Sequence, residues 1–123
     1  MTAPNIVNVA TINAKTAYLT PSNTTANVLL ANAASSNKVL KINQIIAANV
    51  NSAAVGATVA VNSAAAGSGT SYPMANAISV PTGASLIVSD KSTAFYLEED
   101  KSILVTSSTS SGITYIVSYE EIS

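Results

Sequence analysis

Apolar and polar residues alternate every second position through most of this chain, with Asn, Gly, Pro and Ser interrupting the rhythm at roughly ten-residue intervals. Successive side chains on a strand point to opposite faces, so this pattern specifies half-buried strands and leaves no convincing helix. Strands are predicted over residues 5–12, 16–20, 26–31, 39–50, 55–61, 74–80, 85–89, 95–97, 102–107 and 113–120. In the longest, Leu40, Ile42, Gln44, Ile46, Ala48 and Val50 share one face that is apolar but for Gln44, and this is the expected core face. A helix over 40–48 is the competing reading, disfavoured by β-branched residues and nearby asparagines. Residues 55–61 read as the strand returning from 39–50, and 102–107 with 113–120 as a final hairpin across a Ser/Thr/Gly loop. Pro81-Thr82-Gly83 suits a type II turn, and Asn62–Ser71 reads as a flexible low-complexity tip. The expected fold is all-β: a single-domain antiparallel β-sandwich, jelly-roll or Ig-like, of eight or nine strands. Residues 1–14 form an extended N-terminal arm or first strand, and 15–123 the sandwich.

A chain of 123 residues fits one domain. It contains no His, Cys or Trp, and all five basic residues are Lys. That removes His-based general bases, thiolate nucleophiles, the usual N/S zinc sites, disulfides and bidentate Arg clamps. With 9% charged residues and a net charge of −1, little holds a polyanion. No apolar run approaches the roughly 18–20 residues of a membrane span. No basic residue leads an apolar stretch at the N-terminus, so no signal peptide is expected and synthesis is assigned to a cytoplasm. An enzyme, a nucleic-acid binder and a membrane protein are therefore disfavoured. A low-charge, small-residue surface suits a subunit of an assembly.

The candidate chemical sites are weak. Glu98-Glu99-Asp100 with Asp90 offers oxygen ligands but matches no EF-hand spacing, and a turn between strands explains the acids as well. The same carboxylates lack the aromatic platform of a glycosidase. Gly67-Ser68-Gly69 is followed by neither a helix nor a Lys, so it is no phosphate loop, and no Gly-x-Ser-x-Gly elbow occurs. No catalytic residue, cofactor or metal is assigned.

Charge is distributed unevenly. Residues 1–89 hold Lys15, Lys38 and Lys41 and no acid, whereas 90–123 hold all six acids with Lys91 and Lys101, so +3 faces −4. Acids in solvated turns account for this, and so does a basic edge of one subunit meeting an acidic rim of the next. Candidate inter-subunit contacts are Ile6, Val7 and Val9 in the arm, then Lys38, Lys41, Glu98, Glu99, Asp100, Glu120 and Glu121. Tyr115 and Tyr119, which share a face of the last strand, are read as core or inter-subunit filler.

Two stretches carry a family resemblance. Thr16-Ala17-Tyr18-Leu19-Thr20-Pro21, running on through Asn27 and Val28 to Asn32, resembles the opening of small tailed-bacteriophage virion proteins, where a T-x-Y-T-x-P turn leads into a strand ending in Asn. The run Ile78–Leu86, the segment Tyr96–Ile103 and the close Val117-Ser118-Tyr119-Glu120-Glu121-Ile122-Ser123 are similar to cyanophage-like members of the same group; family members often carry Glu-Gly-Asp where this chain has Glu98-Glu99-Asp100. The resemblance implies a virion structural protein of β-sandwich fold without catalytic residues. A capsid decoration (cement) protein on the outer head surface is the expectation. It would bridge major capsid subunits and bind copies of itself as a symmetric trimer or dimer. A tail, neck or fibre-associated structural or receptor-binding module is the alternative.

Overall fold

The computed structural model describes residues 9–123. Strands form close to where alternation predicts them: β1 (Ile12–Leu19), β2 (Asn27–Asn32), β3 (Val39–Asn49), β4 (Val55–Asn62), β5 (Ser71–Val80), β6 (Ser85–Ser89), β7 (Phe95–Leu97), β8 (Lys101–Ser107) and β9 (Ile113–Ile122). Residues 12–14, placed with the arm from sequence, lie in β1, and Ile6 and Val7 fall outside the described residues. Just before β1, Ala10 and Thr11 donate backbone hydrogen bonds to the Ser123 carbonyl (2.8 and 3.0 Å), tying the two ends of the described chain together.

The strands form two sheets. One runs β1–β9–β3, with β6 and β7 end to end along the far edge of β3; the other runs β2–β8–β4–β5. Every pairing is antiparallel, and the pairs β1–β9, β2–β8, β3–β6/β7 and β4–β5 are nested. The chain is therefore one long hairpin, bent at residues 63–70 and rolled until β3 meets β9 and β4 meets β8. This order is a jelly roll and not an Ig fold. The sixth of its eight strands is split into β6 and β7 by a single 3-10 turn, Lys91–Thr93, capped by the Asp90 carboxylate.

That roll corrects two expected pairings. β3 and β4 lie in opposite sheets, as do β8 and β9, so neither pair is a hairpin. Among the described residues, β4 to β5 is the only connection between consecutive strands that is a hairpin. Local sequence favours neighbours that pair, but here the loops cross the sandwich.

The core lies between the sheets and is fully closed around Ile42, Ile45, Leu97, Ile103, Ile113, Tyr115 and Val117. The expected core face of β3 holds only as far as Ile42. Ile42 opposes Tyr119 and Gln44 opposes Ser118, so Asn43 is an extra residue, a β-bulge. Beyond it the faces exchange: Ile45, Ala47 and Asn49 turn inward, while Gln44, Ile46 and Ala48 turn outward. A bulge shifts parity by one position, which moves a whole apolar set from one face to the other.

Three asparagines close strands. Asn32, Asn49 and Asn62 end β2, β3 and β4, each at least 96% buried, and each spends its amide on loop backbone. Asn32 donates to the carbonyls of Lys38 (2.9 Å) and Leu97 (3.1 Å); Asn49 donates to those of Ala53 (2.9 Å) and Val80 (2.8 Å). Buried amides survive only when satisfied, and among the described residues no buried side-chain polar atom lacks a partner. Asn62 organises the low-complexity segment. Its amide donates to Gly69 O (3.2 Å) and Ser71 Oγ (2.9 Å), and its oxygen accepts from the backbone N–H groups of Ala64 and Gly69 (3.0 Å each). The segment is indeed the tip of the long hairpin, but it is pinned instead of loose. The predicted turn at residues 81–84 forms, with Gly83 at φ +72° and Ala84 N donating to Pro81 O (3.0 Å).

Candidate interaction surface

The two outer sheet faces are treated differently. On the β2 sheet, Leu104 and Ala60 oppose each other and face away from the core, yet both are buried. The pinned hairpin tip lies over them. A Cβ on Gly67 would stand 3.0 Å from a Leu104 methyl, and Ser102 Oγ holds the Ala64 carbonyl at 2.7 Å. The centre of that sheet is thus covered by the chain itself, while Val28 on β2 and Tyr72, Met74 and Ile78 on β5 stay exposed along its edge strands.

The outer face of the β1 sheet is open. Tyr18 pairs with Ile116, Ile116 with Ile46, and Ile46 with Ile87, so one apolar row crosses four strands in direct register. Tyr18 is 76% exposed, Ile87 60% and Ile116 38%, with Ile46 half-buried between them. Ile46 belongs to this row because of the Asn43 bulge. The flanking rows are small and uncharged. Thr20, Thr114, Ala48 and Ser85 lie on one side, where the two threonine hydroxyls bond at 2.8 Å, and Thr16, Ser118 and Gln44 on the other. Charge enters one row further along, where Glu120 on β9 pairs in register with Lys41 on β3 and Lys41 with Tyr96 on β7. Asn43 steadies Glu120 by donating to its carboxylate (2.9 Å).

The other charged candidates are engaged within the chain. β9 runs between β1 and β3, so Glu121 receives Lys38 (3.2 Å) and Lys15 (3.4 Å) from its two sides. Burial pushes the Glu121 carboxyl up, but hydrogen bonds from the two lysines and their charges outweigh this and hold it below its ordinary value. The separation of charge seen along the sequence is thus partly closed by sheet order within one molecule. Glu98 lies 4.0 Å from Lys101, Glu99 accepts from Asn37 N (3.1 Å), and Asp100 accepts from Ala65 N (3.2 Å). The left-handed position of that acidic turn is Asp100 (φ +57°), a residue type that tolerates it, so Glu99 needs no glycine.

Tyr115 and Tyr119 are core residues and not surface contacts. Tyr115 is fully buried, its hydroxyl donating to Thr106 O at 2.7 Å and lying 3.2 Å from Ser107 Oγ, and Tyr119 is 9% exposed. Val9 is half-buried. Among the described residues no ligand-sized cavity opens, no cluster of three or more metal-ligating side chains forms, and no helix is long and apolar enough to cross a membrane. Sequence reading missed Tyr18, Ile87 and Ile116 as surface residues. Their signal is apolar side chains at the alternate positions a half-buried strand normally leaves polar.

No family model matches the chain, and no curated protein matches it. Among solved structures it is similar to a chain of the T13 particle of IBDV, with TM-score 0.49 and 8% identity, covering 93% of this chain and 31% of that one. It is also similar to a chain of infectious bursal disease virus, Gt strain, with TM-score 0.41 and 12% identity over the same shares. The chain thus spans under a third of the virus chains it matches.

Proposed function

We propose that this chain is a non-enzymatic virion structural protein, a capsid decoration subunit that binds the outer surface of the head and bridges major capsid subunits. The observation that carries the reading is a jelly roll that covers the centre of one sheet with its own loop and presents an apolar row across the other. Its buried polar side chains close loops instead of converging on a cavity. Such a surface performs by contact. A modest interface repeated by symmetry over a shell adds up to a large resistance to internal pressure. The sequence resemblance to small tailed-phage virion proteins points the same way, and the arm residues Ile6, Val7 and Val9 belong to the reading as contacts to a neighbour.

Quantitative mass spectrometry of purified particles tests this directly. Hundreds of copies per particle, released together with loss of shell stability, are the expected result. A dozen or fewer copies would move the protein to the tail, neck or fibre, and absence from particles would overturn the virion assignment altogether.

A further inference from the structure

We infer that the open face of the β1 sheet is a self-association surface, on which a second copy packs face to face about a two-fold axis running parallel to the strands between β9 and β3. This inference uses the same face as the virion reading but concerns the isolated protein, so sedimentation tests it separately from the particle copy number. The partner is argued from complementarity. That axis lays β1 on the partner's β6 and β9 on the partner's β3. The row Tyr18–Ile116–Ile46–Ile87 then meets its own reversed copy, Tyr18 over Ile87 and Ile116 over Ile46. The same operation sets Glu120 of each copy opposite Lys41 of the other, so the charged row is attractive as well. Between the two rows lie Thr16, Ser118 and Gln44, with Asn43 beside Glu120 and the exposed 3-10 turn Lys91–Thr93 at the β6/β7 edge. The central strands thus present uncharged side chains where two sheets would approach to about 10 Å, the spacing and aligned geometry of packed sheets within sandwiches.

The area agrees with a weak but specific dimer. Strands about 4.8 Å apart and rows about 7 Å apart give a face roughly 20 Å on a side, so a pair of copies buries on the order of 1,000 Å². That sits at the lower limit for a specific contact and suits a weak, concentration-dependent dimer.

Sedimentation equilibrium of the full chain over a wide concentration range reads the association. The expected result is a monomer–dimer equilibrium in which Tyr18→Glu and Ile87→Glu each weaken dimerisation by at least about 30-fold, because the two-fold places every substitution in the contact twice. Both side chains are exposed in the monomer, so circular dichroism, and melting at concentrations where the unaltered chain is monomeric, are expected to stay unchanged. Tyr72→Glu, on an exposed position of β5 in the other sheet, is expected to dimerise as the unaltered chain does. Lys41→Glu sets like charges opposite each other and is expected to weaken the dimer about tenfold at low salt, a loss that added salt relieves. A strictly monomeric protein, a trimer, or Tyr18→Glu and Ile87→Glu variants that dimerise normally would each overturn the inference.

Discussion

Replacing Asn62 with alanine tests whether one buried amide turns a glycine- and alanine-rich segment into a fixed cover. The side chain makes four hydrogen bonds, two to the Gly69 carbonyl and Ser71 hydroxyl and two from the Ala64 and Gly69 N–H groups. At about 1 kcal/mol net each, their loss is bounded near 4 kcal/mol; because the freed loop groups reach water, about 2.5 kcal/mol is the expected cost. Unfolding entropy of about 2.1 cal/mol/K per residue over 123 residues converts this to a fall in Tm of about 10 °C. Calorimetry reads that shift. Hydrogen exchange locates it, since protection of the Gly67 and Gly69 amides should collapse while the β3 and β9 amides keep their rank order. Loosening the tip also uncovers Leu104, so binding of an apolar dye should rise. A variant that melts within about 3 °C of the parent with tip amides still protected would refute the reasoning; the cover would then be held by Ser102 and Asp100 alone.

Three further outcomes follow from the same geometry. Glu121 has a lowered carboxyl pKa, so its stabilisation is present above the unfolded-state value and is lost as pH falls through the lower folded one. Urea midpoints should therefore drop below about pH 4.5, and Glu121→Gln should flatten that limb. Burial raises the Tyr115 hydroxyl, so its contribution is intact below pH 10.0 and lost as pH rises further. Tyr115→Phe should cost about 1–2 kcal/mol at neutral pH and remove that alkaline slope in denaturant titrations. Deleting Asn43 should leave a folded protein about 1–3 kcal/mol less stable, because it irons out a bulge without changing parity beyond it. Deleting Ala47 should abolish folding, since it swings the buried Asn49 to the outside, and circular dichroism distinguishes the two.

Strand positions were legible because period-two alternation is local: eight of the nine strands lie within a few residues of their predicted bounds, and β1 alone starts four residues early. Partners were not legible. Nothing in Ser108–Gly112 distinguishes a hairpin from a corner that crosses the sandwich, and the nearest strand is the default guess. Asn32 and Asn62 read as turn or tip residues and Asn49 as a strand position off the core face, because an asparagine that closes a loop from inside looks in sequence like one facing solvent. The open face escaped notice for a related reason. Tyr18, Ile46, Ile87 and Ile116 come from four strands spread over the chain, and only the register makes them one row.

The bulge at Asn43 links these observations. Were Asn43 an ordinary strand position instead of a bulge, strict alternation from Leu40 and Ile42 would carry Gln44 into the core and turn Ile45 and Ala47 to solvent. With the bulge, Ile45 and Ala47 close the core against Val117 and Tyr115, and Ile46 is released to join Ile116 and Ile87 outside. The same residue uses its amide to hold Glu120, which keeps the first charge on that face one row beyond the uncharged band. A bulge at this position therefore sets both the core and the outer surface, and a chain with so few charged groups gains an apolar row across four strands from a shift of a single residue.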